Sequence, residues 1–593
     1  VSVISVGGAR TALQARRTRA ARAKARAKAR AKARARARAK ARAKARAEAR
    51  RKAAAAAKAK AQAEAKAKAA AEAKAKAAAE AKAKAAQTPP RPSDPYALVT
   101  TPTQAQTMTP TAVERLFLNR FGTGYSQRAL LQLRGFATPA AWLQAQVTSP
   151  ARFAEHPKVA TVDGWFRSLR TDSAATRWSN QANQVKGGWV YGHELGNWSI
   201  LRRIYSERTV LERMTDFWSA NLHIPISHDR AWVWRFDYDA TIRQHAFGRF
   251  EDLLRETALH PAMLLYLDNY RSVRGNPNEN QGRELLEVHT VGVGAGYTEA
   301  MVKDSAKILS GWSVDFNPGA GRFDPVYDQG KHTTGAVSVL GFRHANAAGD
   351  GRQVTIDYLR HLAHHPATAT NLARKLARAL CKDEPSDALV GALARAYLAA
   401  DTSIAAMLMT LAAHPEFLGS AGQKVRAPID DLVATARVLE VDANQAHTNR
   451  DGDNTYARHA NWTHESLQVF AWPRPDGPPS RNTAWATPSR MFGSYQMHWN
   501  HAGGWWPKGA TYKPAGYWVR ANGISFEQHV DHVSRRLLGR PADARTQRAA
   551  RQAVSGATWF STSRPIDAKS SVHGWLGTRL VAMLLDSPDH MLT

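Results

Sequence analysis

The side chains best placed to do chemistry lie between residues 276 and 298, where Asn280, Glu284 and Glu287 follow one another at i, i+4 and i+7. On an ideal helix each residue turns its side chain by about 100°. These three therefore fall along one face with Arg283 beside them, while Leu285, Leu286 and, if the helix runs that far, His289 point to the other side. Two carboxylates and a guanidinium on one stripe suit acid–base work, with Arg283 holding one carboxylate ionised while burial raises the other. They equally suit metal ligation, with Glu284 and Glu287 giving oxygen donors and His223, His228, Asp328 or His332 coming from other segments. Such a mixed oxygen and nitrogen set fits a divalent Zn, Mn or Fe ion. The third use of the stripe is structural: an Arg283–Glu284/Glu287 network tying the helix to its neighbours, with Asn278 and Asn280 capping it. Glu284-x-x-Glu287 is not the Glu-x-x-His pattern of di-iron bundles, and His289 is aimed away from both acids.

The elements that must hold this stripe are helical. Apolar residues recur at helical spacing in Val113–Phe121, Ser126–Phe136 and Ala140–Gln146, then over a long stretch from about Gly192 to Leu222, and again across 526–592. The expected fold is mainly α, a multi-helix globular body with one small β-hairpin insertion near 322–342, where Asp328-Gln-Gly330 and Thr333-Thr-Gly335 separate short apolar pieces. Between Asn461 and Trp518 long Pro-rich loops carry Trp462, Trp472, Trp485, Trp499, Trp505, Trp506 and Trp518. Exposed rings there would suit sugar stacking or a partner, and buried rings would fasten the loops to the body, the commoner use of large aromatics. Leu, then Ala four residues on, then His-Pro occurs three times, ending at His260-Pro261, His365-Pro366 and His414-Pro415. Three ligands to one metal is one reading. The plainer one is a helix end, a histidine that bonds the last carbonyls, and Pro opening the next helix.

Charge divides the chain in two. Residues 1–86 hold 28 Lys/Arg against 4 Glu, which accounts for +24 of the net +34. This stretch alternates Ala with Arg or Lys, then repeats Ala-Glu-Ala-Lys-Ala-Lys-Ala-Ala with Glu64–Lys68, Glu72–Lys76 and Glu80–Lys84 at i,i+4. Without an apolar stripe it reads as a disordered or single-helix tail, residues 1–87, suited to polyanions such as nucleic acid, anionic lipid or wall polymer. A Pro-rich linker, 88–107, leads to a helical domain, 108–593. One cysteine, Cys381, excludes an internal disulfide framework and any multi-Cys metal site. No apolar run reaches 18 residues, so no transmembrane segment is expected, and Val1–Val6 is too short for a signal-peptide core. Gly292-x-Gly294-x-Gly296 follows a helix rather than a strand, which speaks against dinucleotide binding, and no phosphate-binding loop, Gly-x-Ser-x-Gly elbow or His-Glu-x-x-His occurs.

The central stretch resembles a bacterial family known as domain of unknown function 1800. The residues that carry the likeness are Asn278-Glu-Asn280, Gly282-Arg-Glu-Leu-Leu-Glu-Val-His-Thr290, Gly296-Tyr-Thr298 and Ser310-Gly-Trp312. His260-Pro-Ala-Met-Leu-Leu-Tyr-Leu-Asp-Asn269, Asp328-Gln-Gly-Lys-His332, His365-Pro-Ala-Thr-Ala369 and Arg374-Lys-Leu376 flank them. The similarity runs from about Thr111 to the C-terminus and leaves out the basic tail. One departure stands out: the family's Phe-Trp-x-Asn-His-Phe segment reads Phe217-Trp-Ser-Ala-Asn-Leu222 here, with Asn221 in place of the histidine and His223 two residues on. The resemblance implies a mainly helical fold, export to the cell envelope and a sulfatase-like partner protein, and it assigns no substrate or reaction. The residues leave three functions open: a metal-assisted hydrolytic or redox enzyme, a metal-free enzyme acting on glycans, and a non-enzymatic envelope scaffold anchored by its basic tail.

Overall fold

A computed structural model describes residues 107–317, 319, 322–444, 455–462 and 468–593; the basic tail and nearly all of the Pro-rich linker lie outside them. The body is built mainly of short helices, and most begin where the sequence supplies a cap. Thr111 and Glu114 close a capping box at Ala112–Arg120, and Ser525 and Gln528 close another at Phe526–Leu538. The long stretch expected from about Gly192 to Leu222 is two helices, Gly188–Tyr205 and Thr209–Asn221. Glu155 causes the break. Its carboxylate accepts from the Ser206 hydroxyl and from the Glu207 N–H at 2.8 Å, while the Arg208 N–H turns to Ser206 Oγ at 3.1 Å. Backbone donors that would continue the helix are thus taken by side chains.

Among the described residues the β structure is confined to antiparallel pairs, and 322–342 contributes to two hairpins instead of forming one. Pro325–Tyr327 pairs with the upstream Trp312–Val314, Ser313 opposite Val326, and Val337–Val339 pairs with Phe342–His344, Ser338 opposite Arg343. A third pair joins Asp442–Ala443 to Ala510–Thr511.

One large apolar core runs through the body, with Trp142, Trp218, Phe250, Leu285, Leu286, Leu372 and Leu376 among its members. A smaller cluster of Phe526, Val530, Val554, Ile566, Leu576 and Leu580 sits near the C-terminus, and Met583 packs against both. Arg120, buried at the end of the first described helix, joins distant parts of the chain. Its guanidinium donates to the carbonyls of Leu380, Cys381, Ser420 and Thr593 at 2.5–3.0 Å. Burial pushes its pKa down to about 9. Trp518 and Trp485 are buried, Trp472, Trp499 and Trp506 are half-buried, and Trp505 is exposed. Among the described residues no helix is long and apolar enough to cross a membrane.

The His-Pro junctions have a local purpose. In each, the histidine Nδ1 accepts the second N–H of the helix that follows: His260 from Ala262, His365 from Ala367 and His414 from Glu416, at 3.1–3.2 Å. His156-Pro157 repeats the arrangement with Lys158 at 2.9 Å. The expected bond to the preceding carbonyls is therefore replaced by an N-cap, in which a neutral imidazole nitrogen plays the part usually taken by a Ser or Asp oxygen.

Candidate functional site

The acidic stripe begins on a short α-helix, Asn280–Glu284, and continues through one turn of π-helix, Leu285–His289. Leu285, Leu286 and His289 are buried, as the helical spacing requires, while Glu284 and Glu287 stay half-exposed on the other side. Gly282 lets this segment lie directly on Glu299–Leu309. A Cβ there would stand 2.9 Å from the Ala306 nitrogen and 3.1 Å from the Val302 oxygen. The turn widens at its end because its carbonyls find partners outside the ladder. The Thr290 hydroxyl donates to Leu285 O at 2.6 Å, and Lys375 Nζ donates to Val288 O at 2.7 Å. Single π turns of this kind recur at functional sites.

Arg283 does not pair with Glu284. It makes a two-pronged bond to Glu299, at 2.8 and 2.6 Å, and stands 3.6 Å from Glu279 and 3.7 Å from Glu287. The Tyr297 hydroxyl is pushed up to about 12 by burial and then by Glu287. Asn278 Oδ1 accepts from the Asn280 N–H at 2.9 Å. The Glu284 carboxylate has no hydrogen bond or ion pair with any described residue. Burial raises its pKa, and the negative charges of Glu287 and Asp476 raise it further against the pull of Arg283. The Tyr266 hydroxyl is pushed up to about 12 by burial and then by Glu284.

Asp476 leads from this stripe into a cavity of about 410 Å³. Five parts of the chain enclose it: Arg203 near the end of Gly188–Tyr205, the stretch 213–223, the polar face of Pro366–Leu380, the segment 424–430 and the loop 468–485. The loop is clamped at Gly477, whose φ is +66°; a Cβ there would fall 2.0 Å from the Ala220 carbonyl oxygen. Trp472, Trp485, Phe217 and Phe470 supply apolar wall.

Seven Lys/Arg side chains line the cavity against three aspartates. Five of the cations are paired. Arg203 bonds Asp216 at 2.5 Å, Arg213 bonds Asp430 through one nitrogen at 2.9 and 2.8 Å, Lys424 bonds Asp383 at 2.6 Å, Arg474 bonds Asp476 at 3.1 Å, and Arg481 pairs with Glu384. Lys375 and Arg378, three residues apart on one helix face, form no ion pair with a described carboxylate. Lys375 has its bond to Val288 O, and Arg378 Nε donates to the Asp383 carbonyl at 3.0 Å. Burial pushes Lys375 down to about 8, and burial with the nearby Arg481 lowers Arg378.

The histidines and aspartate expected from other segments occupy separate places. His223 lines the cavity, but its Nε2 faces the Trp472 carbonyl at 2.7 Å and its Nδ1 the Ser219 carbonyl at 3.3 Å; burial holds its pKa down to about 4. Asn221, at the departure from the family motif, donates back to Phe217 O at 2.8 Å. His228 Nδ1 accepts from the Ala231 N–H at 3.1 Å, and its ring meets the edge of Tyr266. Asp328 is exposed and accepts from the Gly330 N–H at 2.8 Å. His332 is buried between the Ser310 carbonyl and Asn346 Oδ1, at 2.8 and 2.9 Å.

Two sets of three closely spaced metal-type donors occur elsewhere among the described residues: Asp431–His498–His590 and Glu251–His364–Asp401. Arginines already occupy their acids. Arg490 stands 3.3 Å from Asp431, Arg249 pairs with Glu251 and Asp401, and Arg360 reaches Glu251 at 3.0 Å. Both sets are therefore ion-pair networks in which arginine side chains face the acids.

Sequence reasoning found the acidic stripe and missed the cavity. Its walls come from residues up to about 280 positions apart, and the one local signal was a pair of cations, Lys375 and Arg378, with no acid at helical spacing. Comparisons with curated proteins and with solved structures gave no match. The model of the family described as Protein of unknown function (DUF1800) matches residues 116–592, and it is to this family that the chain belongs.

Proposed function

We propose that the cavity beside Glu284 binds a small anionic molecule and is the seat of this protein's activity, with Glu284 at its margin as a proton donor or acceptor. The observation that carries the reading is the excess of cations in the lining, two of which lack a carboxylate partner. A volume of about 410 Å³ suits a ligand of sugar or nucleoside size. The tryptophans favour a ligand with a flat or ring-shaped body, so a glycan acid acted on without a metal is one form of this function. Calorimetric titration with glucuronate, citrate and phosphate tests it. At least one should bind, and Arg378→Ala should weaken it about tenfold. Equal affinity in wild type and variant would refute the reading.

A metal-assisted reaction is the second reading. It is favoured by the electrostatic contact among Glu284, Glu287 and Asp476, and by the absence of a partner for Glu284 among the described residues. Elemental analysis of purified protein is the test: stoichiometric Zn, Mn or Fe, lost in Glu284→Ala, would support it. For the tail the proposal is polyanion binding, and deleting residues 1–86 should flatten the salt dependence of binding to DNA and anionic vesicles.

A further inference from the structure

The two lysines of the cavity differ in a way that sets one apart. Lys424 donates to the Asp383 carboxylate at 2.6 Å and to the Ser480 carbonyl at 2.5 Å, an ammonium held by its counter-ion. Among the described residues Lys375 has one bond, to the neutral carbonyl of Val288 at 2.7 Å, which holds the chain in place without stabilising the charge as a carboxylate would. Lys375 lines the cavity together with Arg378, which stands one turn along the same helix face, about 4.5 Å of axial rise away.

We propose that Lys375 is a nucleophilic amine that forms an imine with an anionic aldehyde or ketone held in the cavity by Arg378. This rests on the anion-site reading above and adds to it a covalent step. The neutral amine's lone pair adds to the carbonyl carbon and forms the C–N bond. The former carbonyl oxygen takes up a proton to give a carbinolamine. The nitrogen gives up one proton as the carbinolamine forms and its second as that hydroxyl is protonated and leaves as water. Both hydrogens of the amine end in the water, and amine and carbonyl become imine and water with no change of oxidation state.

The groups around Lys375 suit this use. Burial disfavours the ammonium, Arg378 adds repulsion, and only Asp476 opposes them. The resulting pKa of about 8 leaves a useful fraction of free amine near neutrality. His289, on the other side, is itself pushed down to about 3 by burial and then by Lys375, so it adds no competing positive charge. The requirement for an anionic carbonyl compound follows from the spacing. An acid whose aldehyde or ketone lies one or two bonds from the carboxylate brings both groups within reach of neighbouring side chains on one helix.

The full-length protein is incubated with glyoxylate and sodium cyanoborohydride, and the reduced adducts are mapped by mass spectrometry. Lys375 should label at least about tenfold faster than the exposed Lys508 and Lys569, and glycolate, which has the same charge but no carbonyl, should slow it competitively. Lys375→Arg, checked for folding by its melting curve, should still bind glycolate yet lose the fast adduct. Binding of glycolate with Lys375 labelled no faster than Lys508 or Lys569 would overturn the imine and leave the anion site standing. No binding of either acid, with uniform labelling, would remove both.

Discussion

Lys375 donates from Nζ to the carbonyl of Val288 at 2.7 Å, and so ties the polar face of one helix to the last turn of the segment that carries Glu284 and Glu287. Asn371, one turn earlier, does the same for Thr290 O at 2.7 Å. The acidic stripe and the cavity are therefore two sides of one joint.

Replacing Lys375 by Met should remove both the bond and the charge. The lost hydrogen bond costs about 1–2 kcal/mol, but the depressed pKa means that the buried ammonium works against the fold at pH 7, so denaturant unfolding should show little net loss or a gain. Anion affinity should also fall. In wild type that affinity should weaken as pH rises through about 8, where the ammonium is lost, and in the variant this step should vanish. Titrations between pH 6 and 9.5 check it.

Glu284→Gln should leave the melting temperature at pH 7 unchanged or raise it. Its carboxylate has no partner among the described residues, and its pKa is raised, so the ionised form is the less favoured one in the folded state. Above the unfolded carboxylate pKa its charge works against the fold, and Gln removes it. The same change should strengthen anion binding while abolishing any turnover that depends on proton transfer. A drop of several degrees in melting temperature would contradict this.

Gly477→Ala should loosen the wall of the cavity. The left-handed backbone disfavours a side chain, and the added methyl would overlap the Ala220 carbonyl. A loss of about 1–3 kcal/mol is expected, together with faster proteolysis within 468–485. Both are measurable by limited digestion and chemical unfolding.

Acid should destabilise the protein well before its carboxylates titrate. His223, His260, His289, His529, His532 and His590 are all held at about 3 or 4, in each case chiefly by burial. The unfolded chain protonates these rings near pH 6.5 while the folded chain resists, so stability present above that pH is lost as pH falls toward 4. His498 works the other way. Burial opposes its charge, but Asp431 and Asp586 hold it and raise the pKa to about 9, so its contribution is full below about 6.5 and fades as pH rises through 9. Melting curves from pH 4 to 10 should show a steep acid limb, and His498→Gln should remove part of the decline at the alkaline end.

Residue patterns foretold much of this. The leucines 285 and 286 went inward and the acids outward because helical periodicity decides facing before any tertiary contact forms. Thr111 and Ser525 marked helix starts for equally local reasons. The break after Tyr205 depended on Glu155, some 50 positions upstream, and Arg283 chose Glu299 over its near neighbours because that acid came from a packed helix. The cavity needed Asn221, Lys375, Asp430 and Trp472 together, a grouping that no spacing along the chain encodes.

The four carbonyls gathered by Arg120 lie 260, 261, 300 and 473 positions further along the chain. During synthesis the first described helix must therefore wait for nearly the whole domain to emerge before its buried cation is satisfied. Such distant closure slows folding and leaves early segments exposed to misassociation. Refolding yield should thus depend strongly on protein concentration and on chaperones, and fragments ending before residue 420 should accumulate as aggregates instead of folding into smaller bodies.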